Sequence, residues 1–319
     1  MKKKIALIAK IVAMAVLLVG IAFLIKDSSH QFRAKGYSSS APTKVKFDKM
    51  KQWLPKDAEL VLVVDPHRLF ANDSDRARIA GWIEQGKSFA GMSAELIAHL
   101  VTNPGAIGLV AAGIELSPSA GPAEGVLVVQ GGLDAKAMTD EITQQMAAAG
   151  VTLSKGDCAG IPFYVESTTP DAFALVFPDK HHMLLGTMRA LESIMRCDEP
   201  THGATPQTVD WYPTGDSKAV FGRLTITPQL ASIFPEGLRG VSSVRISMGP
   251  EFVLHAEVPC SSTEQAHQAQ LFFEGVRASL VMASMDKPEL NGFLLGTQMI
   301  ASPNSLRIAV PLNTVKSEM

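Results

Sequence analysis

The chain has 319 residues, 46% of them hydrophobic and 19% charged, with a formal net charge of −2. That composition buries real cores and excludes extensive disorder, and the near-neutral balance excludes a dedicated nucleic-acid binder, which needs a concentrated basic surface. Three cysteines (Cys158, Cys197 and Cys260) with no CxxC pair fit one bridge plus a spare thiol, or three reduced thiols.

Lys2, Lys3 and Lys4 open the chain, and an apolar stretch follows from Ile5 to Ile25, interrupted only by Lys10. In a helix, residues 5–25 rise roughly 32 Å, enough to cross a hydrocarbon core. The lysines place the N-terminus in the cytoplasm under the positive-inside rule, with Lys10 snorkelling toward the headgroups. A cleavable signal peptide requires a small-x-small site after the apolar core, and Leu24-Ile25-Lys26-Asp27-Ser28 does not supply one. Residues 1–26 are therefore expected to be an uncleaved signal anchor in the inner membrane. The rest of the chain is expected in the periplasm or outside the cell. Residues 27–50, with Ser28, Ser29, Gly36, Ser38, Ser39, Ser40 and Pro42, are expected to form a flexible polar tether.

A first unit is expected over residues 51–196. Trp53-Leu54-Pro55-Lys56-Asp57 leads into a strand-like run from Glu59 to Asp65 that meets Pro66. His67 and Arg68 follow at the strand end, a place where polar sites occur. Asp73 to Val101 is expected to hold two helices divided near Gly86–Gly91. Val126 to Val129 reads as a strand, and a helix from Asp134 carries Met138, Ile142 and Met146 one turn apart. Phe177-Pro178-Asp179-Lys180 breaks two apolar strands. His181 and His182 beside it could ligate a metal, but neighbours on a strand face opposite ways and no third ligand is evident. A solvated hairpin turn is the preferred reading.

Within this unit Gly81, Gly86, Lys87 and Ser88 fit the pattern G-x-x-x-x-G-K-[ST]. A phosphate loop uses it because backbone N–H groups wrap the phosphates, Lys grips their oxygens and Ser holds Mg²⁺. It also needs a buried strand delivering the first glycine. Here Asp75-Arg76-Ala77-Arg78-Ile79-Ala80 precedes Gly81, a charged amphipathic run, and Gly86 stands where a helix C-cap belongs. The segment is preferred as helix, and a nucleotide hydrolase built on these four residues is the alternative.

Residues 197–210, rich in Pro, Thr and Gly, read as a linker, and a second unit follows over 211–319. Trp211-Tyr212-Pro213 leads into a strand-like run from Ala219 to Thr227 that meets Pro228, as in the first unit. Val244, Ile246 and Met248 alternate with Arg245 and Ser247, as Phe252, Leu254, Ala256 and Val258 do with Val253, His255 and Glu257, and Gly249-Pro250 between them signals a hairpin. His255 and Glu257 fall on the wetter face as an expected surface pair. Ser261 and Ser262 offer capping boxes to Glu264 and Gln265, opening a helix with Ala269, Phe272, Val276, Leu280 and Ala283 as one stripe. Ser302-Pro303-Asn304-Ser305 ends this half with a proline turn. Among the methionines, Met138, Met146, Met282 and Met285 lie in or near the main helices. Filling a core is preferred for them over lining an adaptable apolar groove.

The pattern implies a duplication, and the fold class expected is α+β: a transmembrane helix, then two tandem ferredoxin-like βαββαβ units with antiparallel sheets. Leu54-Pro55-Lys56-Asp57-Ala58, running into a hydrophobic strand that ends at Asp65, resembles the unit openings of bacterial membrane-anchored envelope proteins with duplicated α+β units. That family has no assigned activity, so the resemblance implies no site residues.

No G-x-S-x-G elbow or comparable signature surrounds a nucleophile. The function expected is therefore a non-enzymatic, membrane-tethered binding or scaffolding protein with no cofactor and no metal. Its expected partners are the membrane, through residues 5–25, and another envelope protein. Carriage of an apolar ligand is a further alternative. The oligomeric state is not legible.

Overall fold

The computed structural model describes residues 43–65, 68, 107–115, 124–132, 135–148, 152–158, 160–165, 172–195, 218–232, 234, 236–249, 251–284 and 288–312. They fall in two compact units, one drawing on 43–195 and the other on 218–312.

The first unit opens with helix α1 (Thr43–Met50), a 3-10 turn (Lys51–Trp53) and strand β1 (Leu60–Val64). Strands β2 (Ile107–Glu115) and β3 (Glu124–Gly131) and helix α2 (Ala135–Ala148) follow. Then come β4 (Ser154–Cys158), β5 (Ile161–Val165), β6 (Phe173–Asp179), β7 (His182–Thr187) and helix α3 (Met188–Met195). The strand order is β1-β2-β3-β7-β6-β5-β4. β1, the run Leu-Val-Leu-Val-Val, is buried at all five positions, as a strand covered on both faces must be. Phe47 and Met50 of α1 and Leu54 join its core. The end of the stretch expected as tether is thus a packed helix. Burying Phe47 and Met50 on one face outweighs the solvation of its lysines.

In the second unit β8 (Val220–Thr225) leads through the single turn α4 (Pro228–Ala231) and a 3-10 turn (Glu236–Leu238) to β9 (Ser243–Met248) and β10 (Val253–Pro259). Helices α5 (Thr263–Ala283) and α6 (Pro288–Gly296) precede the hairpin β11 (Gln298–Ser302) and β12 (Ser305–Pro311). The order is β11-β12-β10-β9-β8.

These twelve strands of antiparallel sheet are not two ferredoxin-like units. A split βαβ unit needs its helices to carry the chain across to a parallel neighbour, which takes a dozen or more residues. Here α4 is a single turn of four residues, and β8 and β9 pair directly and antiparallel, from Val220 opposite Met248 to Thr225 opposite Ser243. In the first unit β1, β2 and β3 are consecutive antiparallel neighbours, and β4 and β5 add two further antiparallel strands beside the expected β6. β4 is Ser-Lys-Gly-Asp-Cys. Its Gly156 lies opposite Phe163, whose ring occupies the space a side chain would take.

The β9–β10 hairpin expected from Gly249 is present, with Leu254 opposite Met248. The Ser262 cap is present too: its Oγ accepts from Gln265 N at 3.1 Å, while Gln265 Oε1 accepts from Ser261 N at 2.7 Å. The expected anchor at residues 5–25, the linker at 197–210 and the two helices expected within 73–101 lie outside the described residues. Among the described residues no helix is long and apolar enough to cross a membrane.

Candidate functional site

Three features of these units bear on function: two polar clusters in the first and an apolar surface in the second. The first cluster arises from sheet register. Gln130 of β3 lies directly opposite His182 of β7, so both side chains share one face. His182 is buried, with Nδ1 donating to Asp179 Oδ2 at 2.8 Å and Gln130 Nε2 donating to its Nε2 at 3.4 Å. The Trp53 ring stands 6.3 Å from the imidazole. Trp53 Nε1 and Gln130 Oε1 are buried without a hydrogen-bond partner among the described residues. Burial pushes the Asp179 carboxyl up, but hydrogen bonds from His182 and the His181 N–H outweigh it and hold the carboxyl below its ordinary value.

The expected solvated turn is thus corrected at His182: Asp179 and Gln130 satisfy its nitrogens inside the sheet. His181 stays exposed, its Nδ1 3.3 Å from Gly131 O. Among the described residues no group of three or more His, Cys, Asp or Glu could hold a metal.

The second cluster closes β1. Arg68 N donates to Asp65 O at 3.2 Å, and Arg68 Nε lies 3.3 Å from Asp65 Oδ2. Lys46 of α1 is buried nearby. Desolvation, with a smaller push from Arg68, holds its ammonium below the usual lysine range despite the opposing pull of Asp65. Asp65 and Arg68 are therefore together, as their place in the chain suggested, while His67 lies outside the described residues.

His255 and Glu257 do not pair with each other. His255 Nε2 lies 3.8 Å from Glu251 Oε1, and Glu257 Oε2 lies 3.5 Å from Arg245 Nη1. Gly81, Gly86, Lys87 and Ser88 all lie outside the described residues, as do Met285 and the side chains of Met138 and Met146.

The apolar surface belongs to the C-terminal elements. The exposed large apolar side chains among the described residues are Leu271 and Met282 of α5, Leu295 of α6 and Ile300 of β11, at 70%, 71%, 70% and 60%. Core filling is thus corrected for Met282. Behind it, Ala266 and Ala269 of α5 are buried, Phe272 packs edge-on against Phe234 at 5.8 Å, and Phe273 adjoins Phe272. α5 also serves the sheet edge: Arg277 Nη1 donates to Thr297 O at 2.8 Å and Gln270 Nε2 to Met299 O at 3.4 Å. Those bonds reach one carbonyl of β11, the outermost strand in its order, and the carbonyl of the residue just before it, so α5 covers part of that edge. At the far end, Ser284 Oγ donates to Asn291 Oδ1 and Asn291 Nδ2 to Ser284 O, both at 2.9 Å, clamping α6 to α5.

One sequence signal would have revealed this surface. Leu271-Phe272-Phe273 and Leu280-Val281-Met282 are apolar triplets, and three consecutive helical residues span about 200°, wider than one buried face. One member of each must point outward.

No family model matches the chain, and no curated protein matches it. Among solved structures the chain is similar to crystal form I of TP0453, with a TM-score of 0.45 and 13% sequence identity, over 82% of this chain and 91% of that one.

Proposed function

We propose that this chain is a single-pass, membrane-tethered envelope protein whose second unit binds another envelope component and catalyses no reaction. The observation that carries it is the outward apolar set Leu271, Met282, Leu295 and Ile300 in consecutive elements of one unit. Single exposed apolar residues need no explanation, but Leu271 and Met282 belong to one exposed, uncharged line of α5 that runs through Gly275 and Ala278, and a line of that kind marks an interaction surface. The tether rests on the sequence of residues 5–25 and the lysines before it.

Thiol labelling tests the binding. In a full chain with Cys158, Cys197 and Cys260 replaced by serine, Met282→Cys and Leu295→Cys are compared with Asp140→Cys, an exposed position of α2. A water-soluble maleimide applied to intact envelopes should label positions 282 and 295 at least about tenfold more slowly than 140. Equal rates contradict the proposal.

A second reading, carriage of an apolar ligand, is favoured by the sheet itself. Ile246, Ala256 and Ile308 align in one cross-strand row and are only half-buried, as are Leu254 and Val310 in the next. Lipid recovered at one molecule per chain after purification would favour it, and a lipid-free chain would end it.

A further inference from the structure

We infer that the partner on α5 is a second copy of this chain, its α5 packed antiparallel about a two-fold axis beside Val276 and Arg277. This rests on the reading that the surface binds a protein, and it names the protein. The exposed line along α5 runs Leu271, Gly275, Ala278, Met282, at spacings of 4, 3 and 4. That is the seam one helix offers another. Read from either end it is large, small, small, large. An antiparallel two-fold therefore sets Leu271 against Met282 of the copy and Gly275 against Ala278 of the copy, a self-complementary contact of the kind an isologous interface requires.

Three further observations favour a copy. Between Gln268 and Met282 the exposed line carries no charge, so the symmetry brings no like charges together. The charges of that span turn to their own unit, Arg277 onto Thr297 O and Glu274 onto Gln270 Nε2. Gly275 also lacks a reason within its own unit. A glycine inside a helix weakens it, and a Cβ built there meets no atom of the structure within 4 Å. Close approach of a second helix supplies the reason, as small residues let two backbones come together. One helix seam buries far less than the roughly 1,200–2,000 Å² of a standard stable interface. The pairing is therefore weak in dilute solution and depends on confinement in the membrane, which raises the effective concentration.

Cross-linking of the cysteine-free full chain in its native membranes tests this. In the proposed register, position 278 and its symmetry mate are offset by about 4.5 Å along the helix axis, and position 271 and its mate by about 16 Å. A short bis-maleimide should join Ala278→Cys chains into dimers and leave Leu271→Cys chains at least tenfold less joined. Leu271→Cys co-expressed with Met282→Cys should give the mixed dimer. Gly275→Leu, which the open space tolerates in the monomer, should cut cross-linking of Ala278→Cys at least tenfold while protease resistance is unchanged. No dimer at 278, equal dimer at 271, or indifference to Gly275→Leu each overturns the inference. If positions 282 and 295 stay protected from maleimide without a dimer, another component holds the surface, and only the self-pairing falls.

Discussion

Phe252 carries a backbone φ of 56°, in the left-handed region that bulky residues avoid, and yet it is almost wholly buried. Its N–H donates to Gly249 O at 3.3 Å, and its carbonyl accepts from Leu312 N at 2.8 Å, so the turn before β10 is fixed from both sides. Burial of the ring outweighs the backbone cost. Phe252→Ala should lower stability by about 3–5 kcal/mol in denaturant unfolding, since it empties the core and leaves the strained turn unsupported. The alternation of β10 made Phe252 legible as an inward residue. It did not show that the strand starts one residue later, because periodicity reports faces and not φ.

Asp179 gives a pH prediction. Its carboxyl is held below its ordinary value in the folded chain, so its contribution to stability is present above the unfolded pKa, about 3.9, and is lost as pH falls through the lower folded value. Asp179→Asn should therefore lower the melting temperature at pH 7, and the gap to the parent should narrow below about pH 3.9. A gap that stays constant down to pH 2 would show that the carboxylate charge is not what holds His182. The sequence placed Asp179 and His182 in one turn. Gln130 and Trp53 joined them only through the pairing of β3 with β7, a register that local pattern does not contain.

Among the elements, those with strong local grammar were legible. The β9–β10 hairpin follows from two alternating runs around Gly249, and α5 begins where Ser261, Ser262 and Gln265 spell a capping box. Ser262→Ala should cost about 1 kcal/mol, read as a shift in the denaturation midpoint at constant slope. β4 was illegible because Ser-Lys-Gly-Asp-Cys has no apolar face; it is a strand because β5 pairs with it and Phe163 covers its glycine. Close packing constrains β7 in a comparable way. A Cβ at Gly186 would stand 2.6 Å from the Gly125 carbonyl oxygen across the ladder, so Gly186→Ala should destabilise the first unit by about 1–3 kcal/mol in the same measurement.

At the scale of the whole molecule, the repeated strand–proline openings of the two halves suggested two ferredoxin-like units, and strand pairing decided against that fold. The connection from β8 to β9 is long enough for a crossover, but α4 makes only a single turn of it, and β9 returns antiparallel beside β8. The candidate surface was half legible. The stripe through Ala269 and Phe272 was visible as the buried side of α5. The outward line of Leu271, Gly275, Ala278 and Met282 lies beside that stripe and holds two small residues, so the period of the stripe does not announce it.

Every functional statement about that surface depends on the second unit lying outside the cytoplasm. Protease added to intact spheroplasts that express the chain with a C-terminal tag tests this most directly. The account predicts that the tag is lost while cytoplasmic markers survive. A tag protected until the cells are lysed would contradict it, and would make Lys87 and Ser88 the first residues to mutate.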